Sequence, residues 1–92
     1  MNTAAKGRRL EHRSRQLLEA AGYTVIRAAA SKGDFDLVGY SSAGWVLCQV
    51  KASRPPGPME RRALAEAPCP PACVRLIHVW KLRARLPEVV ER

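Results

Sequence analysis

The sequence predicts an α/β domain of the α+β kind, in which a central mixed β-sheet is flanked by helices. Three observations carry this prediction: leucines at helical spacing near the start, three apolar strand-like runs after them, and a short helical run followed by a fourth strand. The length of 92 residues favours a single domain over residues 1–92. A domain of this size buries only about 60–65% of its unfolded surface, so oligomerisation would add useful stability.

The first helix is predicted from about Thr3 to Ala21. Apolar residues recur there at spacings of three, four and seven, which places them on one face of a helix. Gly22 is well placed to end the helix, because glycine adopts the left-handed conformation that closes many helices. The apolar stripe consists of Leu10, Leu17, Leu18 and Ala21.

Three strands are predicted to follow the first helix, and turn residues separate them. Their ranges are Tyr23–Ala29, Phe35–Tyr40 and Trp45–Lys51. The four-residue connection Ser41–Gly44 is short enough to join the second and third strands as an antiparallel hairpin.

The second half of the chain is broken by prolines. The run RPPGP ends regular structure after the third strand, and a short helix is predicted from Met59 to Glu66. A fourth strand is predicted from Arg75 to Leu82. The pattern from Leu86 onward fits either a short strand or a turn.

The charge balance points to a polyanionic partner. The chain has 16 Lys and Arg against 8 Asp and Glu, a net charge of +8. Because the basic residues cluster in Lys6–Arg15 and again in Arg75–Arg85, nucleic acid is favoured over a basic surface kept for solubility. No apolar run approaches the roughly 18 residues of a membrane span, so a membrane role is not expected.

The chain has three cysteines, an odd number, and no apolar signal segment. We therefore expect a cytoplasmic protein with reduced thiols. Zinc binding by Cys69 and Cys73 would need two further ligands, and His12 and His78 have no paired spacing with them. Cys48 is expected to pack as a small hydrophobic residue in a strand.

Polar side chains interrupt the predicted hairpin at positions where they are costly. Because side chains alternate between the faces of a strand, Gln49 and Lys51 project the same way, about 7 Å apart. Asp36 lies five residues before Ser41, and Gln49 lies five residues after Gly44. The hairpin therefore places Asp36 and Gln49 roughly opposite each other.

Glu11 sits at the edge of the apolar stripe of the first helix and is predicted to face the sheet. Together with Asp36 and Gln49 it would supply carboxylate and amide oxygens, which suit Mg²⁺. Lys51 beside the metal could orient a water or neutralise charge on a phosphate, and Ser31 could add a hydrogen bond. The set predicts metal-dependent phosphodiester cleavage, with Glu11, Asp36 and Gln49 as the metal ligands.

Each of these residues also has a purely structural interpretation. Asp36 could cap a turn at the strand end, and Gln49 could bond to backbone. Lys51 could extend to solvent at the strand end. Glu11 could pair with Arg8 or Arg15, both at helical spacing from it.

In these residues the chain resembles PD-(D/E)xK nucleases, and more closely the small Holliday junction resolvases of archaeal type with their bacterial and phage relatives. The similar segments are KGRRLE, AAGYTVIRAAAS, GDFDLVGY and VLCQVKAS, within about the first 55 residues. The resemblance implies a restriction-endonuclease-like core and Mg²⁺, for which Mn²⁺ can substitute. It implies the following roles: Glu11 as the helix carboxylate, Ser31 as the loop serine, Asp36 as the metal-binding aspartate and Lys51 as the motif lysine.

Two positions depart from the pattern of the family. Phe35 stands where the family has a proline, and Gln49 stands where it has an acid two residues before the lysine. A Gln-x-Lys version also occurs in nucleases that resemble Mrr-type restriction enzymes and in some resolvase-like phage proteins. The substitution removes one negative charge from the metal site, for which Asp34 could compensate.

The resemblance further implies a homodimer that presents two active sites on a basic face to a four-way DNA junction. Basic residues near the predicted site would contact phosphates, which positions DNA without reading its bases. Two other interpretations remain: a DNA-binding module that has lost cleavage, and a restriction or repair nuclease acting on linear duplex. The predicted DNA-contacting residues are Lys6, Arg8, Arg9, Arg13 and Lys32.

Overall fold

The computed structural model describes residues 3–27, 35–54, 57–68 and 70–91, with the backbone alone at 3–6, 27 and 91. Helices and strands follow one another in the predicted order of helix, three strands, helix, strand, and one further strand ends the described chain. The elements are α1 (Thr3–Ala20), β1 (Thr24–Arg27), β2 (Leu37–Ser41), β3 (Gly44–Ala52), α2 (Pro58–Glu66), β4 (Cys73–Trp80) and β5 (Glu88–Glu91).

The strands form one mixed sheet in the order β1-β2-β3-β4-β5. The first three strands pair antiparallel, β3 and β4 pair parallel, and β4 and β5 pair antiparallel. A parallel pair requires a crossover connection, and here the connection between β3 and β4 contains α2. The predicted fold class is confirmed, and the C-terminal segment, which the pattern had left open, is a strand.

Each face of the sheet carries its own hydrophobic core. On the face covered by α1, Leu18 packs in a cluster with strand residues from β1, β2 and β3. On the opposite face, Leu64 of α2 packs in a second cluster with residues of β3 and β4. Successive side chains of β3 join different clusters, as the alternation of a strand requires: Leu47 belongs to the α2 side, and Val46 and Cys48 belong to the α1 side.

The β2–β3 hairpin is tighter than the sequence predicts. Ser41 pairs with Gly44, so only Ser42 and Ala43 form the turn, whereas a four-residue loop was predicted. The Ala43 N–H donates to Ser41 Oγ at 3.1 Å, which stabilises the turn locally. Gly44 has a φ of +143°, and a Cβ built on it would lie 2.1 Å from the Ala72 carbonyl oxygen. The predicted loop was therefore too long because Gly44 can pair where other residues cannot.

Strand boundaries also differ from the prediction. β1 begins at Thr24 rather than Tyr23, and β3 spans Gly44–Ala52 rather than Trp45–Lys51. β2 spans Leu37–Ser41 rather than Phe35–Tyr40, and β4 spans Cys73–Trp80 rather than Arg75–Leu82. The register explains the bounds of β4, because β4 pairs with β3 continuously from Cys73 opposite Trp45 to Trp80 opposite Ala52. The length of β4 is thus set by its neighbour in the sheet rather than by its own pattern.

Helix α1 ends as predicted at a glycine. Gly22 has a φ of +103°, in the left-handed region that glycine tolerates. The Tyr23 N–H donates to the Leu18 carbonyl at 3.1 Å, which closes the last turn of the helix. This closure turns the chain directly into β1 and fixes α1 across the sheet.

Candidate active site

Asp36 lies at the open end of the β2–β3 hairpin, immediately before β2. Its N–H donates to the Cys48 carbonyl at 2.9 Å, and its carboxylate Oδ2 accepts from the Val50 N–H at 2.8 Å. Since Leu37 pairs with Cys48, the next position outward places Asp36 across from Gln49, as predicted. The Asp36 side chain thus accepts a hydrogen bond that a backbone carbonyl would accept if β2 continued. Asp36 therefore caps the strand end, which was the structural interpretation given for it.

Gln49 is half-buried and brings an amide oxygen to this same place. Its Oε1 is buried and has no hydrogen-bond partner among the described atoms. A buried acceptor without a donor costs about 1–3 kcal/mol, so such an atom calls for an explanation. A positively charged ligand next to Oε1 would supply one.

Lys51 projects from the same face of β3 as Gln49 and Leu47, which is the face covered by α2. Its Nζ donates to Glu60 Oε2 of α2 at 2.9 Å. This hydrogen bond and the charge of Lys51 lower the pKa of the Glu60 carboxyl. The ammonium of Lys51 is therefore engaged with a partner that the sequence pattern did not suggest.

Glu11 belongs to the helix on the other face of the sheet. It lies one residue after the buried Leu10, so helical geometry places it on the flank of the buried stripe, as predicted. The other flank carries Arg13, which contacts the chain after β4, so Glu11 faces the β1–β2 side. Glu11 and Lys51 therefore approach this end of the sheet from opposite faces, and the structure does not bring these two onto one face.

Several predicted site residues lie outside the described residues, namely Ser31, Lys32 and the compensating Asp34. The side chain of Lys6 lies outside them too. Arg8 and Arg9 are exposed on α1, where a phosphate could reach them. Their assignments to catalysis and to DNA stay predictions.

Arg13 has a structural role in addition to its predicted contact with DNA. Its guanidinium lies over the ring of Trp80, with Cζ 4.2 Å from the ring centroid. Its Nη2 donates to the carbonyl oxygens of Ala84 at 3.1 Å and Arg85 at 3.2 Å. These contacts bind the turn after β4 to helix α1.

A buried polar network beneath the middle of α1 was not predicted from the sequence. Ser14 is fully buried, its Oγ accepts from Trp80 Nε1–H at 2.8 Å, and it lies 2.9 Å from His78 Nδ1. Because Trp80 donates to Ser14, the Ser14 hydroxyl can in turn donate a hydrogen bond to Nδ1 of a neutral His78. The signal in the sequence was a serine midway between Leu10 and Leu18 on the buried stripe, where only a bonded polar group is tolerated.

Burial lowers the pKa of His78 below its usual 6.5, so folding disfavours protonation of this imidazole. The unfolded chain then binds more protons below pH 6.5. Above pH 6.5, His78 should not change the free energy of unfolding. As the pH falls from 6.5 to the lowered pKa of His78, the free energy of unfolding should decrease, and below that pKa it should decrease no further on account of His78. Urea denaturation midpoints between neutral and mildly acidic pH measure this loss.

The acid limb of this stability curve is assigned to His78. His78→Gln should flatten it, because glutamine does not titrate. An NMR titration follows the His78 imidazole directly. A His78 that titrates at or above the usual 6.5 would contradict the assignment.

Cys48 lies beside Asp36 and packs on the α1 side. Burial raises the pKa of its thiol to about 12, and the nearby carboxylate of Asp36 contributes to the rise. The thiol is thus protonated at neutral pH and unsuited to nucleophilic or metal chemistry. Cys48 is the small buried hydrophobic residue that the sequence predicted.

The residues at this end of the sheet carry oxygen atoms of the type that binds divalent cations. Asp36 offers a carboxylate and Gln49 a buried amide oxygen without a donor. Within the described ranges, no group of three or more His, Cys, Asp or Glu side chains is placed to hold a metal. Mg²⁺ retains several waters and needs only one or two protein carboxylates beside substrate phosphates, so a set this small suits it.

No protein-family model matches the chain, and a comparison with curated proteins finds no significant match. Over the described residues, no helix is both long and apolar enough to cross a membrane.

Proposed function

We propose that the protein is a Mg²⁺-dependent, structure-selective DNA endonuclease that resolves four-way junctions by paired phosphodiester hydrolysis. The observation that carries the proposal is the position of Asp36 across from Gln49, whose buried amide oxygen has no hydrogen-bond partner among the described residues. The net charge of +8 supports a nucleic-acid substrate. Paired cuts call for two sites, so the proposal includes a homodimer, acting in the cytoplasm.

Asp36 and Gln49 would hold the metal, and waters and phosphate oxygens would complete its coordination. Glu11 approaches from the opposite face of the sheet and is left out of this set. When bound, Mg²⁺ would polarise the phosphate, lower the pKa of a water and stabilise the leaving oxygen. Asp36 is held for this role by the Val50 N–H, which fixes its carboxylate at 2.8 Å from the backbone. Lys51 would neutralise phosphate charge by exchanging its bond to Glu60 for one to a phosphate oxygen.

A second candidate is a DNA-binding module of the same fold without cleavage. The specific observations in its favour are the amide at Gln49 and the ion pair of Lys51 with Glu60. A lysine whose ammonium is held in an ion pair with Glu60 would contribute little to catalysis. Such a module would still bind DNA through its basic surface but would not cleave it.

A labelled four-way junction incubated with Mg²⁺ or Mn²⁺ separates the two candidates. Symmetric nicks that require the metal support the endonuclease. Tight junction binding without metal-dependent nicks supports the binding module and contradicts the endonuclease. A linear duplex of the same sequence, run in parallel, tests the third interpretation, a restriction or repair nuclease.

Gln49→Glu is expected to lower the Mg²⁺ concentration for half-maximal cleavage by roughly tenfold, because a second carboxylate strengthens the attraction for a cation. Gln49→Leu, which has no oxygen donor, should raise that concentration. The measurement is a Mg²⁺ titration of the junction assay with each variant. If the wild type and both variants gave the same Mg²⁺ titration curve, Gln49 would not be a metal ligand.

A further inference from the structure

A basic cleft lies on the α1 face of the sheet, opposite the face that carries Gln49 and Lys51. Its volume is about 160 Å³, and it lies between the middle of α1 and the ends of β3 and β4. A cavity needs only about 10–15 Å³ to hold one water, so this cleft has room for a hydrated phosphate group. Its lining residues are Arg9, Leu10, Arg13, Ser53, Trp80, Lys81, Leu82 and Arg83.

The charged residues that line the cleft are all positive. Four of the lining residues are Lys or Arg, and none of the described residues that line it is acidic. Arg9 comes from α1, whereas Lys81 and Arg83 come from the turn after β4. Lys81 is only loosely paired, with its Nζ 4.0 Å from Glu88 Oε2 and 3.3 Å from the Ser53 carbonyl. Exposed pairs of this kind are weak, so an incoming anion can replace them.

The turn that carries these charges is held in place before any ligand arrives. The Ala84 N–H donates to the Lys81 carbonyl at 3.1 Å, and Arg13 binds the carbonyls of Ala84 and Arg85. Arg83 has a φ of +63°, a conformation that is costly for a residue other than glycine. Such a conformation persists only where the surroundings enforce it, which is typical of ligand-binding turns.

We propose that this cleft holds a backbone phosphate of DNA, at a contact point separate from Asp36, with Arg9, Lys81 and Arg83 as its ligands. Trp80 is only 3% exposed and lies under Arg13, so the cleft binds phosphate rather than stacking a base. Of the residues that line the cleft, Arg9 and Arg13 were predicted DNA contacts, whereas Lys81 and Arg83 were not.

The sheet fixes how far the cleft lies from the candidate active site. Asp36 faces Gln49, and the cleft begins where Ala52 pairs with Trp80, three residues further along β3 and two strands away from β2. Three strand residues span roughly 10 Å, and two strand spacings also span roughly 10 Å, which gives a separation on the order of 14 Å. This separation is measured in the plane of the sheet, and the cleft and Gln49 lie on opposite faces, so a DNA backbone would contact both places only by passing over the end of the sheet. This inference rests on the proposed function for its choice of DNA.

The test compares two double variants that remove the same charge. Arg9→Ala with Arg83→Ala removes two cations from the cleft, whereas Arg61→Ala with Arg62→Ala removes two exposed cations from α2. Binding of a labelled duplex is measured without divalent metal, over a range of salt concentrations. We expect the cleft variant to bind about ten- to a hundredfold more weakly at low salt and its salt slope to fall by roughly 0.9 for each lost contact. The α2 variant should bind like the wild type.

Equal losses of DNA affinity in both double variants, or no loss in either, would overturn the proposal that the cleft binds phosphate. Binding to anionic phospholipid vesicles but not to DNA would also overturn it, because the cleft would then contact a membrane surface. The outcome is independent of cleavage. If the cleft variant alone loses binding and the wild type never cleaves, the inference stands and the endonuclease fails. If cleavage depends on Asp36 and the cleft variant binds normally, the endonuclease stands and the inference fails.

Discussion

Asp36→Asn is expected to lower metal-dependent cleavage of a four-way junction by about 10³-fold while leaving the fold intact. The asparagine keeps a side-chain oxygen that can accept the Val50 N–H, so the contact at 2.8 Å in the wild type survives. It removes the negative charge on which metal binding depends. Metal catalysis contributes several kcal/mol of transition-state stabilisation, and each 1.36 kcal/mol corresponds to about tenfold in rate.

Asp36→Ala separates the two roles of this residue. It removes the charge and also leaves the Val50 N–H without its acceptor, which costs about 1–3 kcal/mol of stability. Junction cleavage and urea denaturation are measured on both variants. An Asp36→Asn protein that cleaves at close to the wild-type rate would show that Asp36 is only a cap at the strand end.

Ser14→Ala is expected to destabilise the protein by about 2–4 kcal/mol. The alanine leaves Trp80 Nε1–H and His78 Nδ1 buried without the bonds they make at 2.8 and 2.9 Å. Each buried group left unpaired costs about 1–3 kcal/mol. Since Ser14 joins α1 to β4, the loss should loosen the middle of the helix, near Glu11.

The matched control for Ser14 is Ser41, whose hydroxyl also accepts a hydrogen bond but in the exposed β2–β3 turn. Ser41→Ala should change the free energy of unfolding by about 0.5 kcal/mol or less, because water can replace the lost contact. Urea denaturation measures both variants. A Ser14→Ala protein as stable as Ser41→Ala would mean that the buried network contributes nothing.

Much of the fold could be predicted because local patterns and the sheet agree. The leucine spacing indicated α1, the apolar runs indicated the strands, and Gly22 marked the end of the helix. Where the prediction was wrong, the cause was tertiary. β4 takes its length from β3, and the hairpin turn is shortened because Gly44 can adopt a conformation and a close approach that other residues cannot.

The candidate site could be predicted only as far as strand register determines it. Counting outward from the hairpin placed Asp36 across from Gln49. The partner of Lys51 depends on how α2 crosses the far face of the sheet, and no pattern near Lys51 indicates Glu60. The basic cleft joins α1 to a turn about seventy residues later, as the contact of Arg13 with Ala84 shows. Such long-range contacts leave no periodic trace in the sequence.

The central claim is that Asp36 and Gln49 bind a divalent cation together, and Mn²⁺ binding followed by electron paramagnetic resonance tests it without requiring a substrate. We expect the wild-type protein to bind Mn²⁺, Gln49→Glu to bind it more tightly, and Asp36→Asn to lose the bound fraction. Mn²⁺ binding that is absent in the wild type, or that is the same in all three proteins, would contradict the claim.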